Sequence, residues 1–517
     1  MGFIRTIILS FYTVLTLCWK FLPIVGGLIG YALFAPPVWL GGVMAAILGL
    51  AGYLTKSTAM TIFYKPDTHG SARFASLADA RRGKLLTSRG LILGRKHGRM
   101  LRYRGEGHLL TFAPTRSGKG VGCVVPNLLD YPGSVVVTDI KGENSDIARV
   151  YRNTLGAVYE LAPLGGAKAN CATFNPLDFI RIMSAYEVDD ARLIAEMLVV
   201  PEHAQPNHWE REARTLITCL LLYIRHHWDL LEQNLGTLRD LLMQDGEEFE
   251  LLLAKMAVSH QENVARIARG FSQKEPKERS AVISTAQGAT ELFESPELRS
   301  TTERSSFSFE SLKDEVASVF IIVPPEYLEA YRPFLRLMTG LATVAMTRNM
   351  TKPTLPVLFM LDELPALGYM RPIEEGIGYL AGYGAKLWLF VQDLDQLQKT
   401  YPKARSMIAN CAVRQAFNVQ DPDTAKLLSD MLGTATVRMH SEGQSSPLPF
   451  NLVAGSFHSG AFEGARQLMT TGEILTMKAK EQLIFVQGFP AFRARKIRFF
   501  VWWERRLRSR AMIDREC

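Results

Sequence analysis

The chain has no Cys-x-x-Cys pair. Its six cysteines, Cys18, Cys123, Cys171, Cys219, Cys411 and Cys517, lie far apart, which excludes a zinc-ribbon ligand set and a disulfide framework. A reducing, cytosolic setting for the bulk of the chain fits. Internal repeats and low-complexity tracts are also missing, and only Ser441 to Gly460 is rich enough in Ser and Gly to read as a mobile loop. Nor is there a strong charge of one sign: 59 Lys and Arg against 51 Asp and Glu leave a formal +8. So small an excess suits a polyanionic partner or an anionic lipid face. It identifies neither, because charges flanking membrane segments give the same excess.

What is present begins with two apolar runs. Ile7 to Phe34 is apolar apart from a few hydroxyl side chains and Lys20, Val38 to Leu54 is uncharged, and Pro36-Pro37 separates them. A spanning helix needs about 17 to 25 largely apolar residues, so a hairpin of two membrane helices is expected over residues 1–57. Arg5 precedes the hairpin, and Lys56, Lys65, Arg73, Arg81, Arg82 and Lys84 follow it. That bias places both ends in the cytoplasm. A cleaved signal peptide is the alternative, although a second apolar run follows at once and no small-x-small cleavage site stands out.

Beyond a polar linker, residues 58–95, short apolar runs end at Gly-rich or acidic turns, the pattern of a parallel sheet with crossover helices. The expected strands are His108 to Ala113, Ser134 to Thr138, Val316 to Val323, Pro356 to Leu361, Lys386 to Val391, Val413 to Asn418 and Gln482 to Gln487. Residues 189–301 differ in texture, with helical spacing in Arg192 to Val199, Glu210 to His227, Leu235 to Gln244 and Phe249 to Ala257. The reading is an α/β domain, 96–188 and 302–517, carrying an inserted all-α domain.

The chemistry gathers at strand ends. Ala113-Pro114-Thr115-Arg116-Ser117-Gly118-Lys119-Gly120 joins the first of these strands to an expected helix. In that context Thr115 to Gly120 form a phosphate loop: backbone N–H groups wrap the phosphates and Lys119 reaches the β- and γ-phosphates of ATP. Ala113 replaces the first glycine of the usual pattern, and Gly120 stands where Ser or Thr would ligate Mg2+. A Gly-rich turn with an incidental lysine is the alternative. Val357 to Leu361 is an apolar run ending in Asp362-Glu363. In a phosphate-loop ATPase the first acid holds Mg2+ and the second polarises the attacking water; a strand-end acid capping the next turn would read the same way. Gln392 ends a third run, as a sensor of the γ-phosphate or as a cap of the loop Asp393 to Leu397. Asp139 and Lys141 close the second strand, facing nucleotide, a neighbouring subunit or only solvent.

These strings resemble those of the type IV secretion coupling proteins, the conjugative DNA-transfer ATPases of the TraG kind. The likeness covers nearly the whole chain through APTRSGKGVG (Ala113 to Gly122), TDIKGE (Thr138 to Glu143), FNPLD (Phe174 to Asp178), IVPPEY (Ile322 to Tyr327), LDELPALG (Leu361 to Gly368) and VQDLDQL (Val391 to Leu397). It implies a hexameric ring of RecA-like phosphate-loop motor domains, an inner-membrane anchor, and delivery of a relaxase-bound single DNA strand or of effector proteins to a type IV channel. It makes Lys119 the phosphate lysine, Asp362 and Glu363 the acid pair and Gln392 the sensor, with Mg2+ leaning on Asp362, water or Ser117. Arg405 and Arg414 are candidates for an arginine finger. The end from Trp502 to Arg510 is basic, unlike the acidic tail of some relatives, which moves substrate selection to the helical domain. A protein-effector exporter and a docking adaptor with negligible hydrolysis are the rival readings.

Overall fold

The computed structural model describes residues 67–165, 171–201, 206–444, 457–501 and 509–510, together with 47 and 49. Among these no helix is long and apolar enough to cross a membrane. Apart from residues 47 and 49, the expected membrane hairpin lies outside the described residues.

The strands in chain order are β1 (Leu91–Lys96), β2 (Arg99–Tyr103), β3 (His108–Phe112), β4 (Val135–Asp139), β5 (Ala157–Leu161), β6 (Ala317–Ile322), β7 (Val357–Leu361), β8 (Ala385–Val391), β9 (Cys411–Ala416), β10 (Thr434–Gln444), β11 (Phe457–Gln467), β12 (Glu481–Val486) and β13 (Phe492–Arg495). Contacts divide the chain into two units. In the smaller, Met1–Ser71 with Thr434–Arg466, β10 and β11 form a two-stranded sheet and Ser71 bridges Ala435. Within the stretch read as a loop, Ser441 to Gly460, residues 441–444 and 457–460 belong to β10 and β11; 445–456 lie outside the described residues.

The larger unit, Ala72–Gly433 with Gln467–Cys517, holds an 11-stranded sheet in the order β2-β1-β13-β12-β9-β3-β8-β7-β4-β6-β5. From β9 to β5 every neighbouring pair is parallel. From β9 outward through β12, β13, β1 and β2 every pair is antiparallel. The sheet is thus mixed, where the sequence suggested a parallel one. An apolar run such as Gln482 to Gln487 marks burial but carries no mark of its neighbour's direction. The β1–β2 hairpin falls partly in the stretch read as linker. Its two-residue turn, His97 at φ 45° and Gly98 at φ 77°, has the left-handed geometry that matches strand twist.

β3, β4 and β7 are buried along their whole length because both faces of the sheet are covered. On one face Leu110, Val136, Phe359 and Leu389 join one cluster with Leu216, Leu220 and Ile224 of the helix His208–His227. That helix starts in a capping box: Asn207 accepts from Glu210 N at 2.8 Å, and Glu210 Oε2 accepts from Asn207 N at 2.8 Å. It lies amid the run of helices that separates β5 from β6, with no strand among the described residues of that run. On the other face Leu109, Leu358, Trp388 and Ile484 pack with Cys123, Val124 and Ala148, which follow the phosphate loop and line the next helix. At the basic end, Arg510 donates to the Leu129 carbonyl at 2.8 Å and stacks over Tyr151, so this arginine is anchored to protein.

Candidate active site

The carboxyl ends of the parallel strands lie level with one another. Phe112 pairs in register with Val391, Leu361 with Leu389, and Thr138 with Leu361. The strand bearing Gln392 therefore stands between the phosphate-loop strand and the acid-pair strand, an order that sequence alone leaves open. Everything set at these ends meets in one crevice, the usual ligand position in an open α/β sheet.

The loop leaves β3 through Ala113, whose N–H bonds to the Val391 carbonyl at 2.8 Å, and turns through Arg116 at φ 57° and Gly118 at φ 84°. A side chain at position 118 would be strained whatever the space around it. Thr115 and Arg116 are exposed at the crest, whereas Ser117 is buried and its Oγ has no hydrogen-bond partner. An orphaned hydroxyl in this position fits a bound oxyanion or cation. Lys119 leads into the segment Gly120–Val124, a single π-helical turn, and then into Val125–Leu128.

Lys119 Nζ hydrogen-bonds to Glu363 Oε1 and stands 3.1 Å from Asp362 Oδ1. Glu363 Oε2 accepts from Gln392 Nε2 at 3.2 Å. Gln392 is thus joined to the acid pair. The cap of the following helix, Leu394–Thr400, is Asp393, which accepts from Gln396 N at 2.8 Å. Glu363 itself lies at φ 53°, a left-handed conformation that costs a non-glycine residue about 1–3 kcal/mol and recurs at functional sites. Thr138 Oγ1 donates to the Asp362 carbonyl at 3.1 Å and so ties the acid pair to β4.

Burial raises the Asp362 pKa, Lys119 opposes the rise, and Glu363 adds to it. For Lys119, burial disfavours the ammonium, yet the two carboxylates outweigh it and its pKa is raised. At neutral pH the lysine is therefore firmly cationic, as phosphate neutralisation requires. Asp139 is buried at the end of β4 and its pKa is pushed up to about 6, chiefly by burial. Lys141, by contrast, turns to solvent and pairs loosely with exposed Glu143 at 3.9 Å. Arg405 is exposed on the helix Ala404–Asn410, and Arg414 lies mid-strand in β9 beside Leu110. Among the described residues no hydrogen bond or ion pair joins either to Lys119, Asp362, Glu363 or Gln392.

Two side chains at the site carry no sequence signal. Lys496, just past β13, donates to the Ser117 carbonyl at 2.7 Å and to Asn418 Oδ1 at 3.1 Å, over the Phe417 ring. Burial pushes its pKa down to about 8. In sequence it is one of several basic residues near the end of the chain, and only the antiparallel return of β12 and β13 brings it under the loop. Asn144 follows directly on the TDIKGE string and donates through Nδ2 to Asp139 Oδ1 at 3.1 Å.

The chain is also similar to known proteins. A family model described as Type IV secretory system Conjugative DNA transfer matches residues 73–513. A conjugal transfer protein TraG of Escherichia coli is 29% identical over 530 residues, covering 89% of this chain and 81% of the relative. The bacterial conjugative coupling protein TrwBdeltaN70, in an unbound form, superposes with a TM-score of 0.61 at 15% identity, over 82% of this chain and 92% of that one. The plasmid coupling protein TrwB in complex with ADP and Mg2+ does so with a TM-score of 0.57 at 15% identity, over 82% and 93%. At such identity the structural likeness speaks for the fold alone.

Proposed function

The chain belongs to the type IV secretory system conjugative DNA transfer family, whose coupling proteins serve DNA transfer, and from that premise we propose that it is an ATP-hydrolysing motor. The observation that carries the reading is the convergence of Lys119, Asp362, Glu363 and Gln392 at neighbouring strand ends, joined by hydrogen bonds and ion pairs. Phosphoryl transfer is mostly positioning and electrostatics, and these residues supply both.

In this reading Thr115 to Gly120 wrap the phosphates and Lys119 neutralises the β- and γ-oxygens. Asp362 and Ser117 would hold Mg2+, whose part is to polarise the γ-phosphoryl group. Glu363 takes the proton of the attacking water, and Gln392, already bonded to Glu363, places that water. The ADP and Mg2+ of the TrwB complex support the choice of cofactor. Residues 1–57 anchor the chain in the inner membrane, and six copies form a ring. The motor halves, 96–188 and 302–517, act on a relaxase-bound single strand or on effector proteins, which the helices of 189–301 select for the type IV channel.

The test is ATP turnover by the full-length protein with and without single-stranded DNA, at low and at raised salt. Turnover should rise with DNA of any sequence, and the stimulation should fade with salt as phosphate contacts are screened. Turnover that ignores DNA would count against a DNA motor and favour a protein-effector exporter. No turnover above buffer would favour the docking adaptor.

A further inference from the structure

The phosphate loop has Gly120 where such loops ordinarily offer a hydroxyl to the cation. The space there is open: a Cβ built on Gly120 would meet nothing nearer than Asn144 Oδ1, at 3.7 Å. The atom facing the missing side chain is thus an oxygen, the ligand type that hard divalent cations take. Asn144 stands in the first turn of the helix Glu143–Asn153 and is only 8% exposed.

Its orientation is fixed by Asp139. Asn144 Nδ2 donates to Asp139 Oδ1 at 3.1 Å, while Asp139 Oδ2 accepts from Ser145 N at 2.8 Å. A carboxylate only accepts, so turning the amide round would set two oxygens against each other. Oδ1 is therefore held toward Gly120, and no described residue donates a hydrogen bond to it. Asp139 ends β4 beside β7, so the Asp139–Asn144 pair adjoins the strand end that bears Asp362. Ser117 Oγ, buried in the loop, is also unpartnered, but it precedes Lys119, whereas Asn144 faces position 120 itself.

We propose that Asn144, through Oδ1, supplies the cation-ligating oxygen that a loop hydroxyl would otherwise supply, with Asp139 as the positioning residue that aims it. This rests on the nucleotide reading above, and it accounts for how the site tolerates glycine at position 120.

The experiment uses full-length protein in detergent and two readouts: affinity for a fluorescent ADP analogue in EDTA, and Mn2+ affinity at saturating ADP, followed by the electron paramagnetic resonance of free Mn2+. In Asn144→Ala the EDTA affinity should stay within about twofold of wild type while Mn2+ affinity falls about tenfold or more. Adding Gly120→Ser to that variant should restore most of the Mn2+ affinity, because a hydroxyl returns to the open position. Asn144→Leu keeps the side-chain volume and should behave as Asn144→Ala, which covers a folding failure of the smaller variant. Unchanged Mn2+ affinity, or an equal loss in EDTA, would overturn the proposal while leaving the nucleotide reading intact. Absence of ADP binding by wild type in both conditions would overturn the nucleotide reading and this inference together.

Discussion

Asp139 passes from water in the unfolded chain to a buried strand end in the fold. Burial moves its pKa from the ordinary 3.8 to about 6; the Ser145 and Asn144 donors oppose the rise and Asp362 adds to it. The sign of the consequence follows from proton counting. Below about pH 4 folded and unfolded chains both hold the proton. Between about pH 4 and 6 the fold keeps a proton that the unfolded chain releases, so stability falls as pH rises through that window. The loss approaches about 3 kcal/mol above it. Urea denaturation of wild type and Asp139→Asn at pH 4 and pH 7 checks this. The variant should gain by roughly that amount, relative to wild type, on going from pH 4 to pH 7. Equal differences at both pH values would contradict the account. The same residue shows how far a sequence discloses a site. A strand end with charge around a glycine marks Asp139 as a candidate, but only the fold separates it, buried, from Lys141, exposed two residues on.

The helix Glu143–Asn153 is held at both ends. At its start stand Gly142, in the left-handed conformation at φ 73°, and the Asp139 carboxylate; at its far end is Arg152. Arg152 is fully buried and donates to the carbonyls of Tyr131 and Gly133, the latter at 2.6 Å, and to Ser318 Oγ at 2.7 Å. Arg152→Met keeps bulk but leaves those acceptors unpaired, and should cost about 3 kcal/mol or more, read as a shift in the urea midpoint. A cost under about 0.5 kcal/mol, the size of an ordinary surface change, would show that water replaces the guanidinium. At this scale the sequence is most informative where strands are buried on both faces. β3, β4, β6, β7, β8, β9 and β12 are all visible as apolar runs, within a residue or two of their observed ends. β13, with alternate residues buried and exposed, and β5, an edge strand with an exposed start, leave no such run. β1, all but Lys96 of which falls in the stretch 58–95 read as linker, and β2, which lies past that stretch and carries Arg99 and Arg102, leave no such run either.

For the whole molecule, local pattern does not encode neighbour order. The phosphate loop, the acid pair and Gln392 were each legible as a strand end, whereas β8 standing between β3 and β7 was not. The antiparallel extension that carries Lys496 to the Ser117 carbonyl was likewise invisible, since it depends on contacts between residues almost four hundred positions apart. The same long-range pairing assembles the site, because every catalytic candidate follows a strand of one sheet. That the assembled group hydrolyses ATP is the central claim, and single-turnover hydrolysis with binding measured in parallel tests it most directly. Wild type should bind and hydrolyse ATP. Glu363→Gln should bind it but hydrolyse about a hundredfold or more slowly, as loss of a general base requires, and Lys119→Ala should bind about 10- to 100-fold more weakly. Hydrolysis by Glu363→Gln at the wild-type rate, or wild-type binding by Lys119→Ala, would contradict the account.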